Sequence, residues 1–401
     1  MECVPVEIWQ QILLKAVETD EEPIFMTSCT PYTFLHFVNQ QTRVHKHRKP
    51  YFDYLERRGR LRLVCSAWNE FVLLRSHRWL QLDDEGSPMY ALDSTTPGAG
   101  GVRPVERLSM TITSEELVVP VLSWTSHILQ RSADQSPLRA YALRLFKTPT
   151  RGYNPFDDLV GRTPESPESP EYTNTTLQSL SITTAFGSTV SISFPQISST
   201  FTGLCSLFLI NVTATPRQTI ALPQLELLYV HHTLSAFQTL PVHAWDTPAL
   251  RHAHLGHLST RTQFAAVLDG FLRRHAARLE SLVLLELSKA PTSFLNLPED
   301  FWVAFPAMRL LGLKATTLER QDWAGWSVIP PTTHPLRYLV CWSPSPAEAT
   351  VDRVRPRWTY PEGVKLVASQ NGADSFHLVH SVRDGQWIAK MERTCGILPE
   401  L

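Results

Sequence analysis

Leu250-Arg251-His252-Ala253-His254-Leu255 and Leu279-Glu280-Ser281-Leu282-Val283-Leu284 share one phrase, apolar-x-x-apolar-x-apolar. Outward from these two stretches the phrase recurs as Val105/Leu108/Met110, Leu138/Tyr141/Leu143, Leu177/Leu180/Ile182, Leu204/Leu207/Leu209, Leu225/Leu228/Val230, Met308/Leu311/Leu313 and Leu336/Leu339/Cys341. Steps between first positions run 33, 39, 27, 21, 25, 29, 29 and 28 residues. A proline stands one or two residues before five of the phrases (Pro137, Pro223, Pro248, Pro306, Pro335) and biases the chain away from helix there. The spacing predicts one short parallel strand per phrase. Its leucines enter a continuous core, and the alternate residues line an open concave face, as in a solenoid. The same spacing also fits an ordinary α/β domain of parallel strands and crossover helices.

Composition narrows the function classes. The 401 residues are 43% hydrophobic and 19% charged, which is the makeup of a folded chain. Lys+Arg 37 against Asp+Glu 38 leaves a net charge of −1, so no general basic field exists to hold nucleic acid or an anionic membrane. Six dispersed cysteines without a CxxC pair argue against a disulfide framework and for a reducing compartment, cytoplasmic or nuclear. No basic leader and no membrane-length apolar run is expected.

Before the phrases begin, residues 4–18 predict a short amphipathic helix carrying Val4, Ile8, Ile12, Leu13, Ala16 and Val17, with Pro5 in its first turn. A second apolar stripe is Leu61, Val64, Cys65, Trp68, Phe71 and Val72. Together they define an N-terminal unit, 1–82, with a long polar insert at 19–57 that contains the basic run 43–49. A Gly- and Pro-rich linker follows at 83–104, then the array at 105–345, with a mobile loop at 148–173 rich in Ser/Thr-Pro and Glu. Residues 263–277 read as helix within the array. Val364 to Val367 reads as a last degenerate strand in a C-terminal cap, 346–401, which closes on a hairpin over 376–391.

Catalytic and cofactor motifs are missing: no GxxxxGK[ST], strand-linked GxGxxG, HExxH or GxSxG occurs. His252 and His254 share a strand face at period two, with His257 nearby. Without a neighbouring acid or thiol they read as exposed histidines, not metal ligands. His231 and His232 would point to opposite faces. Cys65 reads as a buried thiol. The expectation is a non-enzyme with no cofactor and no metal.

Val4-Pro5-Val6-Glu7-Ile8-Trp9-Gln10-Gln11-Ile12-Leu13, followed by Leu61-Arg62-Leu63-Val64-Cys65-Ser66-Ala67-Trp68, resembles an F-box, a motif that opens Leu-Pro-x-Glu-Ile, continues Ile-Leu and closes Leu-Val-Cys-x-x-Trp. The later steps of 21 to 29 residues fall in the period range of leucine-rich repeats. The order of parts is similar to the large F-box families of mushroom-forming fungi. Val4 in place of leucine and the long insert depart from the pattern.

The resemblance implies an α/β chain made of an N-terminal helical F-box followed by an irregular leucine-rich-repeat solenoid. It implies a substrate-recruiting adaptor of a cullin–RING ubiquitin ligase, the alternative being an interaction scaffold outside any ligase. Pro5, Ile8, Ile12, Leu13, Val64, Cys65 and Trp68 would bind the Skp-type linker protein. Outward strand positions Phe208, Tyr229, His252, His254 and Tyr338 would bind an unknown protein substrate.

Overall fold

Leu222-Pro223-Gln224-Leu225, Thr247-Pro248-Ala249-Leu250 and Phe305-Pro306-Ala307-Met308 each close a four-residue turn in the computed structural model, the last amide donating to the first carbonyl at 3.1, 3.0 and 3.2 Å. Proline takes the second position, where its fixed φ is already that of the turn. Phe201-Thr202-Gly203-Leu204 closes the same way at 3.3 Å without a proline. Pro223, Pro248 and Pro306, noted in sequence, therefore each set a turn, and the strand starts two residues beyond it. The structure describes residues 8–9, 12–13, 56, 59–69, 79–83, 106–135, 138–147, 154–155, 159, 173–184, 190–214, 219–231, 245–258, 267–286, 300–314, 330–342 and 365–369.

The chain divides into two compact units, Met1–Ser28 with Val44–Phe208, and Cys29–Arg43 with Leu209–Leu401. In the first, strands β1 (Trp79–Asp83), β2 (Arg107–Ile112), β3 (Ala140–Leu145) and β4 (Ser179–Thr184) pair in parallel and in chain order. Strand β5 (Ser206–Ile210) lies at the boundary in sequence. In the second unit β6 (Leu227–His231), β7 (His252–Leu258), β8 (Ser281–Glu286), β9 (Leu310–Lys314), β10 (Tyr338–Trp342) and β11 (Lys365–Ser369) do the same. Each of the nine phrases falls on one of β2 to β10, its first residue two positions ahead of the strand.

Helices make crossovers between parallel strands. Helix α1 (Val118–Gln135) joins β2 to β3 and buries Val118, Val121, Leu122, Thr125 and Leu129, one stripe at helical spacing. Its Thr125 hydroxyl donates to the Val121 carbonyl at 2.9 Å and touches Met110 Sδ at 3.0 Å, so α1 packs on the Leu108/Met110 face of β2. Helix α2 (Phe194–Thr200) precedes β5 and buries Phe194, Gln196, Ile197 and Thr200. The stretch expected as helix at 263–277 carries a π-helical turn, Leu268–Leu272, then Arg273–His275, with Val267, Phe271 and Leu272 buried.

Both strand faces are covered. Leu228, Val230, Leu255, Leu282 and Leu284 are buried on one side of the second unit, and Tyr229, His252, His254, Ser281 and Val283 on the other. This overturns the expected N-terminal helical F-box followed by a leucine-rich-repeat solenoid. The described residues form an all-parallel α/β sheet with few, short helices. It has the two-sided burial of doubly wound sheets, although its strands keep chain order within each unit. The physical reason is visible in Ser206-Leu207-Phe208-Leu209-Ile210 and Leu227-Leu228-Tyr229-Val230. Consecutive residues are apolar there, whereas an open coil requires only alternate ones. The basic run 43–49 and the hairpin over 376–391 lie outside the described residues.

Gly203 marks the tightest turn: a Cβ there would stand 2.2 Å from the Thr175 carbonyl oxygen, whereas Gly59 has nothing within 4 Å. Gly203→Ala should lower unfolding free energy by about 1–3 kcal/mol, and Gly59→Ala should leave it unchanged or raise it slightly. Urea denaturation of the two variants checks this.

Candidate functional site

Two groups of side chains hold most of the residues expected in sequence to bind partners. The first lies in the first unit, where the rings of Trp9 and Trp68 meet with centroids 5.9 Å apart and join the N-terminal segment to residues 59–69. That second segment is not one helix. Helical turns at 59–62 and 66–69 flank a bend, with Leu63 and Val64 donating to the Arg60 and Leu61 carbonyls at 3.2 Å each. Ion pairing of Arg60 with Glu56 at 2.5 Å and donation from Arg62 Nε to Asn69 Oδ1 at 2.8 Å hold the polar side. The bend turns Leu63 (86% exposed) and Val64 (58%) to the outside, and on the N-terminal segment Ile8 (45%) and Ile12 (46%) are exposed as well.

Of the residues expected to bind a linker protein, Ile8, Ile12, Val64 and Cys65 are exposed, and Trp68 is half-buried against Trp9. Leu13 is buried and packs inward. Pro5 lies outside the described residues. Cys65, read as a buried thiol, is exposed because the bend interrupts the expected stripe. Leu63 was read in sequence as the leucine of the closing Leu-Val-Cys-x-x-Trp, whereas Trp9, whose ring meets Trp68, was not singled out. Its signal was adjacency to Ile8, which helical periodicity discards.

The second cluster lies in the second unit. Register pairs Tyr229 with His254 and His231 with Gly256, so these side chains share one face of β6 and β7. Tyr229 and His254 stack, with centroids 4.2 Å apart and planes 8° from parallel, and the His231 ring stands 5.9 Å from that of His254. Gly256 makes room, since a Cβ there would come within 2.4 Å of His231 Nδ1. His252 is buried next to Ser281, with Nδ1 2.9 Å from the hydroxyl. Phe208, Tyr229, His252 and His254 are thus covered, not exposed as expected for substrate anchors, and Tyr338 is half-buried. His254 and His231 meet through strand register, which no motif search within one segment reveals.

Burial sets the protonation of this cluster. It lowers His231 to about 4, and burial with the neighbouring His231 carries His254 well below the ordinary range. Burial also pushes the Tyr229 hydroxyl up. His275, whose Nε2 lies 3.3 Å from the Thr247 hydroxyl, falls to about 4, first through burial and then through Arg274, with Asp246 opposing. Burial thus holds these imidazoles neutral near pH 7. Among the described residues, no group of three or more His, Cys, Asp or Glu side chains could hold a metal ion, and no helix is long and apolar enough to cross a membrane.

No protein-family model matches this chain, and no curated protein matches it either.

The histidine shifts have a defined sign. Unfolded imidazole takes a proton near 6.5 and folded His231 only near 4, so the unfolded chain binds more protons between those values. The stability this burial leaves intact is fully present above about pH 6.5 and is lost as pH falls through 4. His254→Phe, which keeps a ring on Tyr229, should flatten the decline of urea midpoint between pH 6.5 and 4.5; an unchanged slope would show that His254 does not contribute.

Proposed function

We propose that the chain is a substrate-recruiting adaptor of a cullin–RING ubiquitin ligase, docking on the Skp-type linker protein through its N-terminal apolar side chains. The observation that carries this reading is the exposure of Ile8, Ile12, Leu63 and Val64 on the two segments that the Trp9–Trp68 contact joins. Exposed apolar side chains on joined segments suit an interaction site. The F-box-like residues Pro5, Glu7, Ile8, Ile12, Leu13, Leu63, Val64, Cys65 and Trp68 suggest the identity of the partner. Action is by proximity: an adaptor raises the effective concentration of a target lysine near a conjugating enzyme bound elsewhere, and makes or breaks no bond itself.

Purified full-length chain should capture the Skp-type linker in a pull-down. Leu63→Asp, exposed and harmless to folding, should abolish capture, and Trp68→Ala should weaken it by at least ~1 kcal/mol, about five-fold. A folded wild-type chain that captures no linker would instead make this an interaction scaffold outside any ligase.

A further inference from the structure

The entry of β10 departs from four others in how it holds its leading amide. At β5, β6, β7 and β9 the amide two residues ahead of the strand, on Leu204, Leu225, Leu250 or Met308, donates to a turn carbonyl three residues back. In Thr333-His334-Pro335-Leu336 the proline stands third instead of second, a position that disfavours this turn. The Leu336 amide donates instead to Nδ1 of the His334 ring at 3.3 Å. Nε2 of the same ring lies 3.0 Å from the Phe305 carbonyl, which also closes the turn ahead of β9. One imidazole thus ties two consecutive strand entries together. Trp302, from the short helix Phe301–Ala304, meets the ring in a T-shaped contact with centroids 4.9 Å apart.

These partners fix the proton. A carbonyl only accepts and an amide only donates, so Nε2 carries the hydrogen and Nδ1 is bare. A second proton can go only to Nδ1, where it meets the Leu336 N–H, and two donors cannot bond each other. The carbonyls that serve the other four entries do not titrate. We propose that His334 is an acid-released latch on β10: with Nδ1 bare it holds the strand entry to the turn ahead of β9, and with Nδ1 protonated it lets that entry go while keeping the Phe305 carbonyl. Among the described strands only β11 lies beyond β10, so release loosens one end of the sheet. The charged and titratable side chains on the segments packed here are Asp300, Arg309, Arg337 and Tyr338. Asp300 pairs with Arg273, Arg309 and Arg337 are exposed, and Tyr338 is half-buried. Burial lowers His334 from its ordinary range, and the Phe305 carbonyl opposes it. The unfolded chain therefore takes the proton first, so the latch is fully closed above about pH 6.5 and opens as pH falls below it. The device is independent of linker docking and lies within the second unit.

Hydrogen exchange on the full-length chain tests it, comparing about pH 7.5 with about pH 5 after correction for the intrinsic exchange rate. In the wild-type chain, protection over 336–342 should fall about five-fold more than protection over β7 and β8, the loss expected of one hydrogen bond. His334→Asn keeps a side-chain oxygen that can accept the amide two residues on, and it does not titrate. Its protection over 336–342 should therefore change with pH no more than that of β8. A wild-type loss over 336–342 no greater than over β7 and β8 would overturn the proposal, whether nothing opens or the whole unit does. So would a His334→Asn chain that loses protection there as the wild type does. Should His334→Asn fail to fold, His334→Phe serves, since it keeps a ring on Trp302 but accepts no hydrogen bond. Low protection over 336–342 at both pH values supports the latch, and wild-type protection at about pH 7.5 overturns it.

Discussion

One backbone interaction recurs down the sheet, and the rest follows from it. The carbonyl of the residue just before each strand accepts two successive amides from the start of the next. Glu106 takes Arg139 and Ala140, Arg139 takes Gln178 and Ser179, Glu226 takes Arg251 and His252, Arg251 takes Glu280 and Ser281, and Glu280 takes Arg309 and Leu310. These bonds, 2.7–3.1 Å long, lock each strand to its neighbour at the first residue. A slip of one residue would turn every side chain to the opposite face, so this lock decides what each face carries.

On one face the lock stacks leucines into the core, where each fully buried aliphatic side chain contributes about 1.5–3 kcal/mol. On the other it assembles groups drawn from distant parts of the chain. Arg107 and Arg144 share that face in the first unit, and Tyr229, His231 and His254 share it in the second. A parallel sheet covered on both sides thus uses its second face for polar and aromatic packing that no single segment encodes. At the strand starts the side chains form a further row, in which Glu280 pairs with Arg251 and stands 3.9 Å from Arg309. The arginine partners are exposed while Glu280 is largely covered.

The strands were legible because Leu228/Val230 and Leu311/Leu313 alternate beyond a turn that proline marks, a local pattern in a local window. Strand β1, Trp-Leu-Gln-Leu-Asp, escaped notice because its two leucines have no leading apolar residue at the phrase's first position. Helix α1 escaped notice because Thr125 and Ser126 sit within its buried stripe and weaken its apolar signal. The error over the second face has a different origin. Whether Phe208 or His254 meets solvent depends on what the rest of the chain lays over it, which periodicity does not record. The contact of Trp9 with Trp68 spans 59 residues, and the outward turn of Leu63 follows from a bend that helical spacing hides.

The coupling of turn to strand divides the chain into stretches that tolerate length change and stretches that do not. Five positions separate Phe201 from Ser206, Leu222 from Leu227, Thr247 from His252 and Phe305 from Leu310, without variation. Distances between successive phrases nevertheless range from 21 to 39 residues. All of that variation therefore falls between the end of one strand and the next turn. Insertions and deletions, whether natural or made to carry a tag, can accumulate in those intervals at small entropic cost. A single residue added between Leu222 and Leu227 would rotate the following strand by half its period and invert its faces.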